Sequence, residues 1–168
     1  TCTLTISPIV PLLEIINSET IGEIVNVQVR FSVPPRDLDY KSGKEMPWRV
    51  QPDIAGGGYF YDLAPHQIDL LQDLFGVITR AHGYPANRAH LYKAEDTVSA
   101  CFFFESGVTG SGSWCFVGHE SAKEDCIEII GDKGSLSFSV FTYQPIVLIT
   151  SEGRTCIPVS NPPYVQLP

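Results

Sequence analysis

The sequence predicts an α+β fold: a large, mostly antiparallel open sheet with helices packed on one face. Three observations point there. Residues 23–33 alternate apolar and polar side chains almost throughout, the period of a half-buried strand. From residue 79 onward, short alternating or apolar runs follow one another across glycine-bearing turns. One long helical pattern, after Gly56, lies between these regions. Consecutive strands joined by tight turns pair antiparallel, and helices segregated against such a sheet define the class.

Each element can be justified in order. Residues 3–6 alternate weakly and predict the end of a strand. Residues 8–16 form a short apolar segment whose two early prolines suit a first turn, which predicts a helix ending near Asn17. A turn over 18–22 leads into the strand at 23–33. Residues 34–55 are polar and proline-bearing, and they predict a long loop carrying Trp48 and Arg49. Loops of that length in a compact domain are often functional. Gly56, Gly57 and Gly58 open the helical pattern, in which Phe60, Leu63, Leu70, Leu71 and Leu74 share roughly one face. Gly76 is a natural stop. Pro65 has two readings: it sits in the first turn with Asp62 near the N-cap, or it kinks a helix begun earlier. Further strands are expected at 79–84, 96–105, 108–117, 126–130, 136–141, 146–150 and 155–159. Turns fall at 106–107, 131–134 and 151–153. The tail from 161 reads as cut short.

Composition bounds the function. A chain of 168 residues with 43% hydrophobic and 18% charged residues suits one ordinary folded domain. Its net charge of −8, with no clustered Lys or Arg, argues against nucleic acid and against an anionic membrane surface. No apolar run is long enough for a membrane span. The five cysteines are odd in number and none forms a C-x-x-C pair, which predicts reduced thiols in a cytoplasmic protein and no metal site. Gly110-Ser111-Gly112 lies inside a strand run and fails as a dinucleotide fingerprint. The turn at 131–134 lacks the Gly-Lys-Ser/Thr of a P-loop. No serine-hydrolase elbow or zinc-protease motif is present, and His82, His90 and His119 read as surface or structural.

The chemistry concentrates in residues 56–71. Asp62 and His66 are four apart, a spacing that stacks them on one helical face, and Asp69 follows three residues later. A carboxylate beside an imidazole fixes its tautomer and makes it a usable general base. The three glycines suit a helix start that a ligand approaches closely. Plainer readings stand beside these: Asp62 as an N-cap, His66 as a core or interface histidine, and the glycines as a flexible turn.

The chain also carries an ordered set of landmarks. They are Ile21-Gly22-Glu23-Ile24, Trp48-Arg49, Gly56-Gly57-Gly58 with Asp62, His66 and Asp69, and Glu95-Asp96-Thr97-Val98. Phe104-Glu105-Ser106-Gly107-Val108 follows, then Ile127-Glu128-Ile129-Ile130-Gly131 with Gly134. This set resembles the C-terminal domain of the GFO/IDH/MocA oxidoreductases (glucose–fructose oxidoreductase, inositol dehydrogenase, rhizopine catabolism). The resemblance implies that residues 1–20 bridge from a nucleotide-binding Rossmann domain absent from this sequence. It implies that 21–168 form a substrate-binding and oligomerisation domain lacking the family's last helical stretch.

The resemblance further implies His66 and Asp62 as catalytic residues, with His66 taking a hydroxyl proton as hydride leaves for nicotinamide. It places Gly56, Gly57 and Gly58 beside the cofactor. Arg49, Trp48 and Asp69 become candidate substrate contacts, though Trp48 packed under its loop and Arg49 in a structural ion pair are equally open. The expected cofactor is NAD or NADP in a full-length parent, with none bound to this chain alone, and the expected substrate is a sugar or polyol. Self-association through the sheet face is expected from the alternating runs 98–104 and 108–116. A non-catalytic sugar-binding or dimerisation module on the same fold is the alternative.

Overall fold

The computed structural model describes residues 9–40 and 46–159. The weak strand expected at 3–6 and the tail from 161 lie outside these residues. The elements are α1 (Ile9–Asn17), β1 (Ile24–Ser32), α2 (Pro52–Ala55), α3 (Tyr59–Phe75), β2 (Ile78–Ala86), β3 (Thr97–Phe104), β4 (Thr109–Cys115), β5 (Glu124–Gly131), β6 (Gly134–Phe138), β7 (Ile146–Thr150) and β8 (Gly153–Ile157). The eight strands form one sheet in the order β2-β3-β4-β1-β5-β6-β7-β8. Five neighbouring pairs are antiparallel: β2–β3, β3–β4, β5–β6, β6–β7 and β7–β8. The predicted α+β class with a mostly antiparallel open sheet is therefore the observed one.

The strand expected at 136–141 ends three residues sooner, at Phe138, and two further expectations change. Residues 34–55 are not structureless: they hold 3-10 turns at Asp37–Asp39 and Trp48–Val50, and then α2. The last strand starts earlier than expected, because Gly153 takes φ 127 and lets the chain re-pair at once.

The chain divides into two compact units, Thr1–Val27 with Cys126–Pro168, and Gln28–Asp125. In the first, Leu12, Ile21, Val27, Ile127, Ile129 and Leu136 are fully buried. The turn at 131–134 closes against the turn before β1. Asp132 Oδ1 accepts the Glu23 N–H at 2.8 Å, and the Lys133 N–H donates to the Ile21 carbonyl at 3.0 Å.

In the second unit, α3 covers one face of β3 and β4. Val98, Phe102, Phe104 and Trp114 alternate inward there. Phe60 meets Trp114 edge-on at 5.0 Å between ring centroids, and Phe75 meets Phe104 at 5.4 Å. The buried line along α3 runs through Tyr59, Ala64, Gln67, Leu71 and Phe75. It is rotated from the predicted leucine face, because Gln67 takes a central place by accepting the Trp114 indole N–H at 2.7 Å. The opposite face exposes Ser99, Cys101, Phe103, Ser111 and Ser113. The large residues of 98–104 and 108–116 thus go under the helix, and the open face is mostly small and polar. Strand β2 is exposed from residue 79 to 85 on both faces, with Arg80 stacked over Phe103 and His82 edge-on to Tyr84.

Candidate functional site

The site is set by how α3 begins. Helix α2 ends at Gly56, whose φ of 80 is the left-handed conformation a glycine allows most readily. Gly58 then caps α3, and its N–H donates to Glu95 Oε1 at 2.7 Å. A β-carbon on Gly58 would lie 2.5 Å from the Glu95 carbonyl oxygen, so the two segments meet only through glycine. The helix therefore starts at Tyr59, and Asp62 lies in its first turn without being the N-cap. That position favours a negative charge through the helix dipole. Pro65 sits inside the helix, the second of its two predicted readings as far as position goes. It has no N–H to offer the turn before it.

Asp62 is half-buried and held by an arginine. Arg49 Nε donates to Asp62 Oδ2 at 2.6 Å. The Arg49 guanidinium lies 4.5 Å from the ring centroid of the exposed Trp48. The structure thus joins Trp48, Arg49 and Asp62, which are up to 14 residues apart in sequence. His66 follows one turn later on α3 and is exposed, as is Asp69. A core histidine is therefore not what His66 is. Gly57 and Gly58 are buried, and Gly57 is backed by the Tyr61 ring. Gly56 is exposed, with open space where a side chain would stand.

Beside this pair lies a cleft of about 540 Å3. Phe31, Val33, Pro34, Leu63 and Phe116 form its apolar walls. Arg36, Asp39, Arg49, Tyr59, Asp62 and Lys123 supply its polar groups. His66 and Asp69 are not among the lining residues.

Sequence reasoning missed the network of Arg36, Asp39 and Tyr59. Asp39 is buried, accepts the Tyr59 O–H at 2.8 Å and accepts the Arg36 backbone N–H at 3.3 Å. Arg36 also donates to the Tyr59 hydroxyl and stacks over its ring at 4.6 Å. Burial pushes the Asp39 carboxyl above its ordinary value, against the opposing pull of Arg36. Behind this wall Tyr92 is buried, and its hydroxyl is pushed far above the usual phenol range, chiefly by desolvation and then by Asp96, Asp39 and Glu95. The only hint in sequence was that the Asp lies in a long proline-bearing loop.

The Glu95-Asp96 landmark has a direct explanation. Glu95 fixes the start of α3. The buried Asp96 accepts the N–H groups of Arg88 and Ala89 at 2.7–2.9 Å and shapes the loop before β3. Gly110-Ser111-Gly112 lies within β4, as its context predicted. Among the described residues no group of three or more His, Cys, Asp or Glu is placed to hold a metal ion, and no helix is long and apolar enough to cross a membrane.

Comparisons with known proteins agree with this fold. The family described as GFO/IDH/MocA C-terminal domain matches residues 10–137. Oxidoreductase P35 of Formosa agariphila is 33% identical over 156 residues, covering 92% of this chain and 46% of that protein. The chain thus spans about half the length of this curated relative. A levoglucosan dehydrogenase solved with NADH and levoglucosan superposes with a TM-score of 0.72 at 22% identity, over 86% of this chain and 42% of that one. An oxidoreductase domain protein from Kribbella flavida superposes at 0.67 and 22%, over 90% and 46%. At these identities the two structures speak to fold. With the family match over most of its length and a relative at 33% identity, the chain belongs to the GFO/IDH/MocA oxidoreductase family and carries its C-terminal domain.

Proposed function

We propose that this chain forms the substrate-binding half of an NAD(P)-dependent oxidoreductase acting on a sugar, inositol or related polyol. The observation that carries the reading is the Arg49–Asp62 pair beside an apolar-walled cleft, with His66 four residues further along the same helix. The levoglucosan dehydrogenase of similar fold, with its NADH and sugar ligands, supports it by analogy.

In this reading a substrate hydroxyl approaches the first turns of α3. Asp62 accepts a hydrogen bond from a substrate hydroxyl, and Arg49 fixes the direction of its carboxylate. His66, exposed one turn later, takes the hydroxyl proton as the carbinol becomes a carbonyl. The faces of Trp48 suit a sugar ring, and Asp69 binds a further hydroxyl. When bound, nicotinamide accepts the hydride. A side chain at Gly57 or Gly58 would meet this chain's own Tyr61 or Glu95, whereas one at Gly56 would meet nothing, so Gly56 is the glycine best placed for a cofactor to approach in this reading. In this reading the chain, which spans about half the length of its curated relative, works with a nucleotide-binding domain that holds NAD(P).

Self-association through the sheet would rest on the exposed β2 and on Phe103, because the rest of the open face of β3 and β4 is small and polar.

The test is cofactor turnover by the full-length protein over a panel of sugars and polyols. Asp62→Asn and His66→Ala should each abolish most of it. Full activity in both variants overturns their roles. A full-length protein that binds sugar but no nicotinamide cofactor is instead a non-catalytic sugar-binding module.

A further inference from the structure

The chemistry of the cleft narrows the substrate class. The chain carries a net charge of −8, yet three of its 11 Lys and Arg residues, Arg36, Arg49 and Lys123, line this one cleft. Only two carboxylates, Asp39 and Asp62, line it with them. The lining is therefore positive in a chain that is otherwise strongly acidic.

The two carboxylates are already engaged. Asp62 is taken by Arg49 at 2.6 Å. Asp39 is buried and receives the Tyr59 hydroxyl and the Arg36 backbone N–H. Its approach to the Arg36 side chain is looser, with 3.7 Å from Arg36 Nε to Oδ2. The Arg36 side chain is 57% exposed, and its guanidinium plane is set by stacking on Tyr59. Among the described residues Lys123 pairs with Glu120, at 3.8 Å, with both side chains more than half exposed. A pair of that length and exposure holds its partner weakly and gives way readily to a ligand. Arg36 and Lys123 thus line the cleft, each with one carboxylate at 3.7–3.8 Å and more than half exposed, beside apolar walls from Phe31, Leu63 and Phe116 that suit the C–H faces of a ring.

We infer that the cleft takes an anionic sugar or polyol, its carboxylate or phosphate held by Arg36 and Lys123 and its hydroxyls turned toward Asp62. A guanidinium fork and an ammonium are the donors such groups prefer. The inference rests on the proposed substrate site but not on catalysis, so the two can fail separately.

Calorimetric binding to the full-length protein without cofactor tests it, with glucuronate, glucose 6-phosphate, glucose and inorganic phosphate as probes. At least one of the two anionic sugars should bind on the order of tenfold more tightly than glucose, and weaken as salt rises. Lys123→Gln, at an exposed position where folding is not at stake, should remove that advantage, and Lys123→Arg should restore it. Whichever of the two sugars is preferred identifies the anion. Equal binding of glucose, a preference unchanged in Lys123→Gln, no binding of any probe, or inorganic phosphate matching the sugars would each overturn the inference. Turnover of neutral polyols with no preference for acids would leave the proposed function standing without it. Anionic-sugar binding through Lys123 with no cofactor turnover would do the reverse.

Discussion

Arg49 Nε lies 2.6 Å from Asp62 Oδ2, tying the long segment after β1 to the first turn of α3. Both side chains are partly exposed, so the contact contributes little to stability and more to direction. The partner is the candidate catalytic carboxylate itself, so an ion pair at Arg49 and a place beside the proposed site are compatible.

Removing Arg49 should therefore damage activity more than folding. In Arg49→Met, kcat/KM for the preferred polyol should fall on the order of 100-fold, as expected for a misdirected site group. The melting temperature should move little. Steady-state kinetics beside thermal melts decide it, and wild-type kinetics would remove Arg49 from the site.

The glycines separate by mechanism. Gly58→Ala drives a methyl group into the Glu95 backbone and should cost about 1–3 kcal/mol through overpacking. Gly56→Ala meets no neighbour but must hold φ 80, which should cost about 1 kcal/mol. Urea unfolding of the two variants should rank them in that order.

Two buried polar groups should respond in opposite directions. The Tyr92 hydroxyl is buried without a hydrogen-bond partner among the described residues, so Tyr92→Phe should stabilise by about 1 kcal/mol. Gln67→Leu leaves the Trp114 indole N–H unsatisfied and should destabilise by about 1–3 kcal/mol. Denaturant midpoints at constant slope would show it, and a loss of stability in Tyr92→Phe would point to an overlooked partner.

Asp39 sets a pH dependence. Its folded-state pKa is raised, so the fold favours its protonated form. Its contribution to stability is complete below the ordinary carboxylate range and is lost as pH rises through the raised folded value. Asp39→Asn lacks that loss. Its melting temperature relative to wild type should climb from about pH 4 upward, and a flat or falling difference would contradict the burial effect.

Much of the fold was legible because period 2 is a local signal. The strand predicted at 23–33 became β1, and 146–150 matched β7 residue for residue. Gln67 was not legible, since a glutamine on an apolar face earns its place only through Trp114, 47 residues away. Asp62, His66 and Arg49 stood out by motif and spacing. Asp39 did not, because it lies in an aperiodic segment and meets Tyr59, 20 residues away, only in space. Pattern reads what neighbours in sequence share, and a cleft is made by residues that share only space.

The chain's two tryptophans occupy opposite settings. Trp114 is sealed against α3 with its indole N–H bonded, whereas Trp48 is nearly half exposed beside Arg49. Intrinsic fluorescence is thus divided in advance between two reporters. Blue-shifted, quencher-protected emission follows the docking of α3 on the sheet. Red-shifted, quencher-accessible emission follows what happens at the loop beside the site. A ligand that perturbs only the second component would be seen to bind without any label and without turnover.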